Sequence, residues 1–201
     1  MSQQAPAYPL TLSVDYPDRE LKRVTTGFRL ILAIPLLLLL ALFGRGNYPA
    51  SAGLLLFLPV LALLVLRHKY PRWWFDFNLQ LARLEARIYT YLFLLRDEYP
   101  SVDYEQAVRL DIVYPDAPNE LNRWLPLVKW LLAIPHYIVL AFLYIAAVVV
   151  VIIAWFAILF TGRYPQGMFD FVVGVLRWSL RVSAYAFLLV TDRYPPFSLS
   201  P

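Results

Sequence analysis

The 201-residue chain has no cysteine, only two histidines and few charges, and each shortage excludes something. Without cysteine there is no disulfide framework, no thiolate zinc site and no thiol catalysis. Charged residues make up 16% of the chain and hydrophobic ones 60%. A soluble domain carries roughly a quarter of charged residues, so this balance belongs to an integral membrane protein. Nucleophile elbows, phosphate-binding loops and dinucleotide fingerprints are absent. Two lone histidines with no E-x-x-H spacing argue against a metal site. Neither cofactor, metal nor enzymatic activity is expected. The apolar runs hold no clustered carboxylates of the kind a proton-coupled transporter uses. The N-terminal M-S-Q-Q-A-P-A-Y-P-L has no basic region leading into an apolar one, so no removable signal peptide is expected.

What the chain does have is apolar length. Trp130 to Thr161 carries no charge, and as one helix it would measure roughly 48 Å. That is long for one crossing of a hydrocarbon core about 30 Å thick, and short for two. The run is read as a tight helical hairpin with its tip near Tyr144–Ala147. An earlier pair of runs, about 28–43 and 50–66, is split by the turn signal G-R-G-N-Y-P. Pro35 should kink the first of them.

The two regions belong to an internal duplication. V-R-L-D-I-V-Y-P-D (Val108 to Asp116) matches L-T-L-S-V-D-Y-P-D (Leu10 to Asp18). L-L-A-I-P ending at Pro135 matches L-I-L-A-I-P ending at Pro35. R-Y-P-Q-G-M-F-D-F from Arg163 matches K-Y-P-R-W-W-F-D-F from Lys69. The offset stays between about 94 and 100 residues, and charged and proline positions match along with apolar ones. Repeat one is residues 1–100, with a strand, a hairpin over about 28–66 and an amphipathic helix over about 73–95. Repeat two is residues 101–201, with a strand, a hairpin over about 126–161 and an amphipathic helix over about 167–190. Alternation predicts strands at about 10–16 and within 102–114, the latter either one long bent strand or two short ones, 102–105 and 108–114; with 197–200 they could form one small sheet. Tyr-Pro occurs eight times and marks where segments enter or leave the interface.

The expected fold is therefore mainly α and integral to a membrane. It comprises two parallel repeats, each a transmembrane or re-entrant hairpin plus an amphipathic interfacial helix, with a small cytoplasmic β-sheet. If the hairpins return and the amphipathic helices lie on the surface, only Arg45 of the eighteen Lys and Arg residues falls on the far side. The positive-inside rule then puts both termini in the cytoplasm. Spanning amphipathic helices would each bury two arginines, at about 2.5–3.5 kcal/mol apiece.

Three stretches of the second half carry a resemblance: R-W-L-P-L-V-K-W-L-L-A-I-P-H-Y, W-F-A-I-L-F-T-G-R-Y-P-Q-G-M-F-D-F-V-V-G-V-L-R-W and Y-A-F-L-L-V-T-D-R-Y-P-P-F. Together they closely resemble the bacterial domain-of-unknown-function family numbered 4389. The first half looks like a diverged copy, with Leu36 where His136 stands. The resemblance implies a bacterial integral membrane protein and brings no activity or ligand; the expected location is the cytoplasmic membrane.

The strongest polar feature is a stripe repeated in both halves: Asp76, Arg83 and Arg87, then Asp170, Arg177 and Arg181. The spacing puts each set on one helical face. The arginines could clamp phosphate or carboxylate groups of anionic lipids or of a partner. A solvated face and a stripe facing the small sheet are the other readings. His136, just after the kinking Pro135, is a candidate polar site within the apolar run, and His68 belongs to a basic interfacial cluster. The expected function is a non-enzymatic membrane scaffold, accessory subunit or lipid-organising protein. Its expected partners are anionic membrane lipids, with a membrane protein or a second copy also possible, and no nucleic acid. The alternative is a small transporter or channel with a path between the repeats.

Overall fold

The computed structural model describes residues 8–18, 20–43, 52–101 and 104–200. The chain is mainly helical, with one small sheet. Strand β1 (Leu10–Val14) leads into α1 (Arg23–Gly27), α2 (Arg29–Leu32), α3 (Ile34–Phe43), α4 (Ala52–Arg67) and α5 (Arg72–Leu92). Then come β2 (Val108–Ile112), α6 (Ala117–Glu120), a 3-10 turn at Leu125–Leu127, α7 (Lys129–Leu132), α8 (Ile134–Thr161) and α9 (Gln166–Ala186). The G-R-G-N-Y-P turn lies outside the described residues.

Local chemistry sets the main boundaries. Pro71 and Pro165 stand immediately before α5 and α9 in extended backbone, where the missing N–H of proline costs a helix nothing. Helices α4 and α8 end alike, on His68 (φ 50°) and Gly162 (φ 75°) in the left-handed region. The amide of His68 closes onto the Leu64 carbonyl at 3.0 Å, and that of Gly162 onto Ile158 at 2.8 Å. Leu94 (φ 63°) and Leu189 (φ 57°) follow α5 and α9 in the same conformation. A leucine there costs about 1–2 kcal/mol, and burial of both side chains holds it in place.

The apolar run does not fold back on itself. Residues Ile134–Thr161 form one 28-residue helix, about 42 Å long, and Tyr144–Ala147 lies in its middle. The physical reason is that A-A-V-V-V-V-I-I-A holds no glycine, proline or asparagine to reverse the chain. Helix α8 buries a seam of His136, Leu140, Ala147, Ala154 and Ile158. Steps of four and seven keep that seam on one side of the helix, and α9 packs there. Leu140 clusters with Trp178, Val182 and Tyr185, while Ile158 joins the core holding Phe169 and Val172. The two helices therefore run antiparallel. The first half follows the same order: Ala33 and Leu36 beside α3's start pack on Ile88 and Tyr91, and Val60 and Leu64 of α4 join the core with Tyr70 and Phe75.

The sheet has two strands, antiparallel, with Leu10 opposite Ile112, Leu12 opposite Leu110 and Val14 opposite Val108. Residues 197–200, expected as a strand, are irregular, as are Tyr104 and Glu105; Val102 and Asp103 lie outside the described residues. Ser198 and Leu199 cannot extend the ladder because their carbonyls face arginine side chains of α9.

Strand β1 packs on α9 and β2 on α5. The molecule is thus layered: apolar helices α3, α4 and α8, then α5 and α9, then the sheet. The amphipathic helices do not lie on the surface along their length. Beyond Gln80 in α5 and Asp170 in α9 no residue is exposed, because the apolar layer covers one face and the sheet the other.

Gly174 marks the closest approach in this packing. A Cβ there would meet the Leu199 Cβ at 2.8 Å and its carbonyl oxygen at 3.0 Å. Gly174→Ala is expected to displace the C-terminal segment and cost about 1–3 kcal/mol, read as a lower melting temperature. A chain ending at Pro195 should tolerate the same substitution.

Candidate functional site

The arginine stripes face the sheet. By the alternation of an antiparallel pair, the Leu12 and Leu110 carbonyls point outward at opposite edges of the two-stranded sheet. Arg83 Nε donates to the Leu110 carbonyl at 2.9 Å, and its Nη2 pairs with Asp111 at 2.8 Å. Arg177 Nε and Nη2 donate to the Leu12 carbonyl at 3.3 Å, and Nη1 to the Leu199 carbonyl at 3.0 Å. An unpaired strand edge invites pairing with another chain; here each edge is capped by a guanidinium. One turn further on, Arg87 Nη1 donates to the Ser101 carbonyl. Arg181 Nη1 reaches the Ser198 carbonyl at 3.5 Å, and its guanidinium lies 5.9 Å from the centre of the Tyr8 ring.

Burial lowers the pKa of Arg87, Arg177 and Arg181 from the ordinary value. Neighbouring Arg83 adds to the effect on Arg87, and Arg181 adds to that on Arg177. Burial also pushes the Tyr8 hydroxyl up, against the pull of Arg181. Asp76 makes an exposed pair with Arg72 at 3.2 Å, and Asp170 is exposed. The structure thus brings Arg83 to Arg87 and Arg177 to Arg181, and holds the two sets at opposite sheet edges. Apart from the Arg83–Asp111 pair, the hydrogen bonds they donate go to backbone oxygens of this chain.

His136 is fully buried. Its Nδ1 accepts from Trp178 Nε1–H at 3.1 Å, so a neutral ring carries its proton on Nε2. The ring stacks on Phe197 at 4.0 Å, with Tyr194 at 4.8 Å. The carbonyl freed by Pro135 is not its partner. His68 Nε2 meets the Leu121 carbonyl at 2.6 Å. Among the described residues no group of three or more acidic or histidine side chains is placed to hold a metal.

Two further cations lie outside the stripes. Arg29 and Lys129 each stand six residues before the proline of A-I-P, and both are buried. Arg29 pairs with Asp97 and donates to the Arg96 carbonyl at 2.7 Å. Lys129 pairs with Asp192 at 2.7 Å and donates to the Thr191 carbonyl at 2.7 Å. Each cation also faces a tyrosine ring, Tyr91 at 4.3 Å and Tyr185 at 5.2 Å. The opposite oxygens of Asp97 and Asp192 accept the backbone amides of Lys22 and Asn122. The sequence signal was a lone cation at matching positions before A-I-P, with D at matching positions before Tyr-Pro.

The fold defines a layered helical protein with, among the described residues, one helix, Ile134–Thr161, long and apolar enough to cross a membrane. Residues 124–198 match the family described as Domain of unknown function (DUF4389). That stretch contains α7, α8 and α9, with His136, Lys129 and the Arg177–Arg181 pair. No curated protein and no solved structure matches the chain.

Proposed function

We propose that this is an integral membrane protein of two duplicated halves, serving as a non-enzymatic scaffold or lipid-organising protein of the bacterial cytoplasmic membrane. The observation that carries the reading is the outward surface of α8. Ile138, Phe142, Ile145, Val149, Ile152 and Phe156 are all exposed, opposite the seam that meets α9. Contiguous apolar surface of this extent is unfavourable in water and free of that penalty in lipid.

Reciprocal contacts support the duplication. Tyr16 donates to the Tyr164 carbonyl, and Tyr114 to the Tyr70 carbonyl. Arg83 caps the strand of the second half and Arg177 that of the first. Each half therefore lends its strand to the other half's amphipathic helix. A pseudo-twofold axis between the halves accounts for the pairing.

With the stripe arginines engaged by backbone oxygens, headgroup attraction falls to exposed cations at the ends of the apolar helices, Arg67 and Arg163. A transport path past His136 is disfavoured, since Trp178, Tyr194 and Phe197 enclose that ring. Lipid analysis of the protein purified in mild detergent tests the proposal. Anionic phospholipid should be enriched over the bulk membrane, and Arg67→Ala with Arg163→Ala should reduce the enrichment. A lipid composition equal to the bulk and indifferent to the substitutions would overturn it.

A further inference from the structure

We infer that α8 lies in the plane of one lipid leaflet, and that the protein does not cross the bilayer. This deepens the membrane reading above and rests on it. The depth at which the polar layer would sit if α8 stood along the membrane normal rules out a crossing. Tyr144, near the middle of α8, donates to Ser179 Oγ of α9 at 2.8 Å. Two residues earlier on α9, Arg177 holds the Leu12 carbonyl. The centre of the sheet is therefore level with the centre of α8, displaced sideways by α9.

Around Leu12 the sheet's outer face carries Thr11 and Ser13, paired in register with Asp111 and Arg109. All four are exposed. A spanning α8 would place that charged face at the middle of the hydrocarbon, where each ionised side chain is strongly disfavoured. With α8 in the plane, the layers follow the membrane's own gradient. The apolar layer enters the acyl region, α5 and α9 lie at its boundary, and the sheet faces water. The first half has the same order, with Leu30, Ile31, Ile34 and Leu38 exposed on the apolar layer. Exposed Trp124 and Trp130 and the cations Arg67 and Arg163 flank the apolar helices, where the headgroups would lie.

The absence of cysteine makes the test direct. Ile138→Cys, Ile145→Cys, Val149→Cys and Phe156→Cys each place one nitroxide on the side of α8 opposite its seam. The intact protein is reconstituted in vesicles of phosphatidylcholine and phosphatidylglycerol. Depth is read from the label's relative accessibility to oxygen and to a water-soluble nickel chelate. The in-plane arrangement gives one common depth at all four sites, about 5–10 Å into the boundary region. A crossing helix instead gives shallow labels at 138 and 156 and labels about 10 Å deeper at 145 and 149. That profile would overturn the in-plane arrangement and leave the membrane reading standing. Four labels open to the chelate would overturn the membrane reading itself. Every site is exposed, so loss of folding by one variant leaves the other three to decide.

Discussion

Ile145→Asp combined with Val149→Asp is expected to move the protein out of the membrane fraction without unfolding it. Ile145 is 64% exposed and Val149 51%, so neither side chain supports the packing of α8 on α9. In water, such exposed positions accept substitution within about 0.5 kcal/mol. On the lipid-facing side of an in-plane helix, each substitution forfeits the burial of an Ile or Val side chain, about 1.5–3 kcal/mol. Two together weaken partitioning by about a hundredfold or more, at 1.4 kcal/mol per tenfold. Flotation with liposomes reads the loss, and circular dichroism reads the retained helix. Ala147→Asp is the contrasting control. Ala147 is fully buried in the seam, so a carboxylate there meets α9, and the helix signal should fall with flotation. Unchanged flotation of the double variant would remove α8 as the membrane contact.

The parts of this structure that could be read in advance are those whose cause is local. Tyr70–Pro71 and Tyr164–Pro165 do precede the amphipathic helices, because proline's effect on its own backbone needs no distant partner. The alternation in L-T-L-S-V and V-R-L-D-I does give β1 and β2. The same alternation continues past Val102, yet Tyr104 and Glu105 are not strand, since parity alone cannot supply a neighbour to pair with. The hairpin tip at Tyr144–Ala147 fails for a different reason. Removing residues from an apolar connection can shorten a turn or abolish it, and A-A-V-V-V-V reads the same in both cases.

The site follows the same division. Helical spacing put Arg83 with Arg87 and Arg177 with Arg181, a local property. What covers that face depends on β1 and β2, which reach it from the opposite half of the chain. Spacing alone therefore does not say whether water, headgroup or sheet covers that face. Arg29 looks like a flanking interfacial charge until Asp97, 68 residues on, is seen to close over it. His136 likewise finds Trp178 as its partner, 42 residues away.

Those buried cations give the largest expected loss of stability, and the loss has a definite order within the Lys129–Asp192 pair. Lys129 is 0% exposed, whereas the Asp192 side chain retains 21%. Asp192→Asn leaves an ammonium wholly inside, with the Thr191 carbonyl as its remaining strong acceptor. Lys129→Met leaves a carboxylate that still accepts the Asn122 amide at 2.5 Å and still meets water. Breaking a buried pair from one side typically costs about 3–5 kcal/mol, and the asparagine variant should lie at the upper end. At about 2–4 °C per kcal/mol for a chain of this size, the melting temperature falls by roughly 10 °C or more. The double variant Lys129→Met, Asp192→Asn removes both uncompensated charges and should recover part of the loss. Its cost is therefore smaller than the sum of the two singles, the signature of direct coupling. Added salt should change little, since screening acts weakly on a buried pair. In the Arg29–Asp97 pair the cation is likewise buried, at 2%, and the carboxylate is more enclosed, at 10% against 21%, so Asp97→Asn should cost about as much as Asp192→Asn. Strict additivity in the double variant, measured by thermal melts in detergent, would show that the two charges do not hold each other.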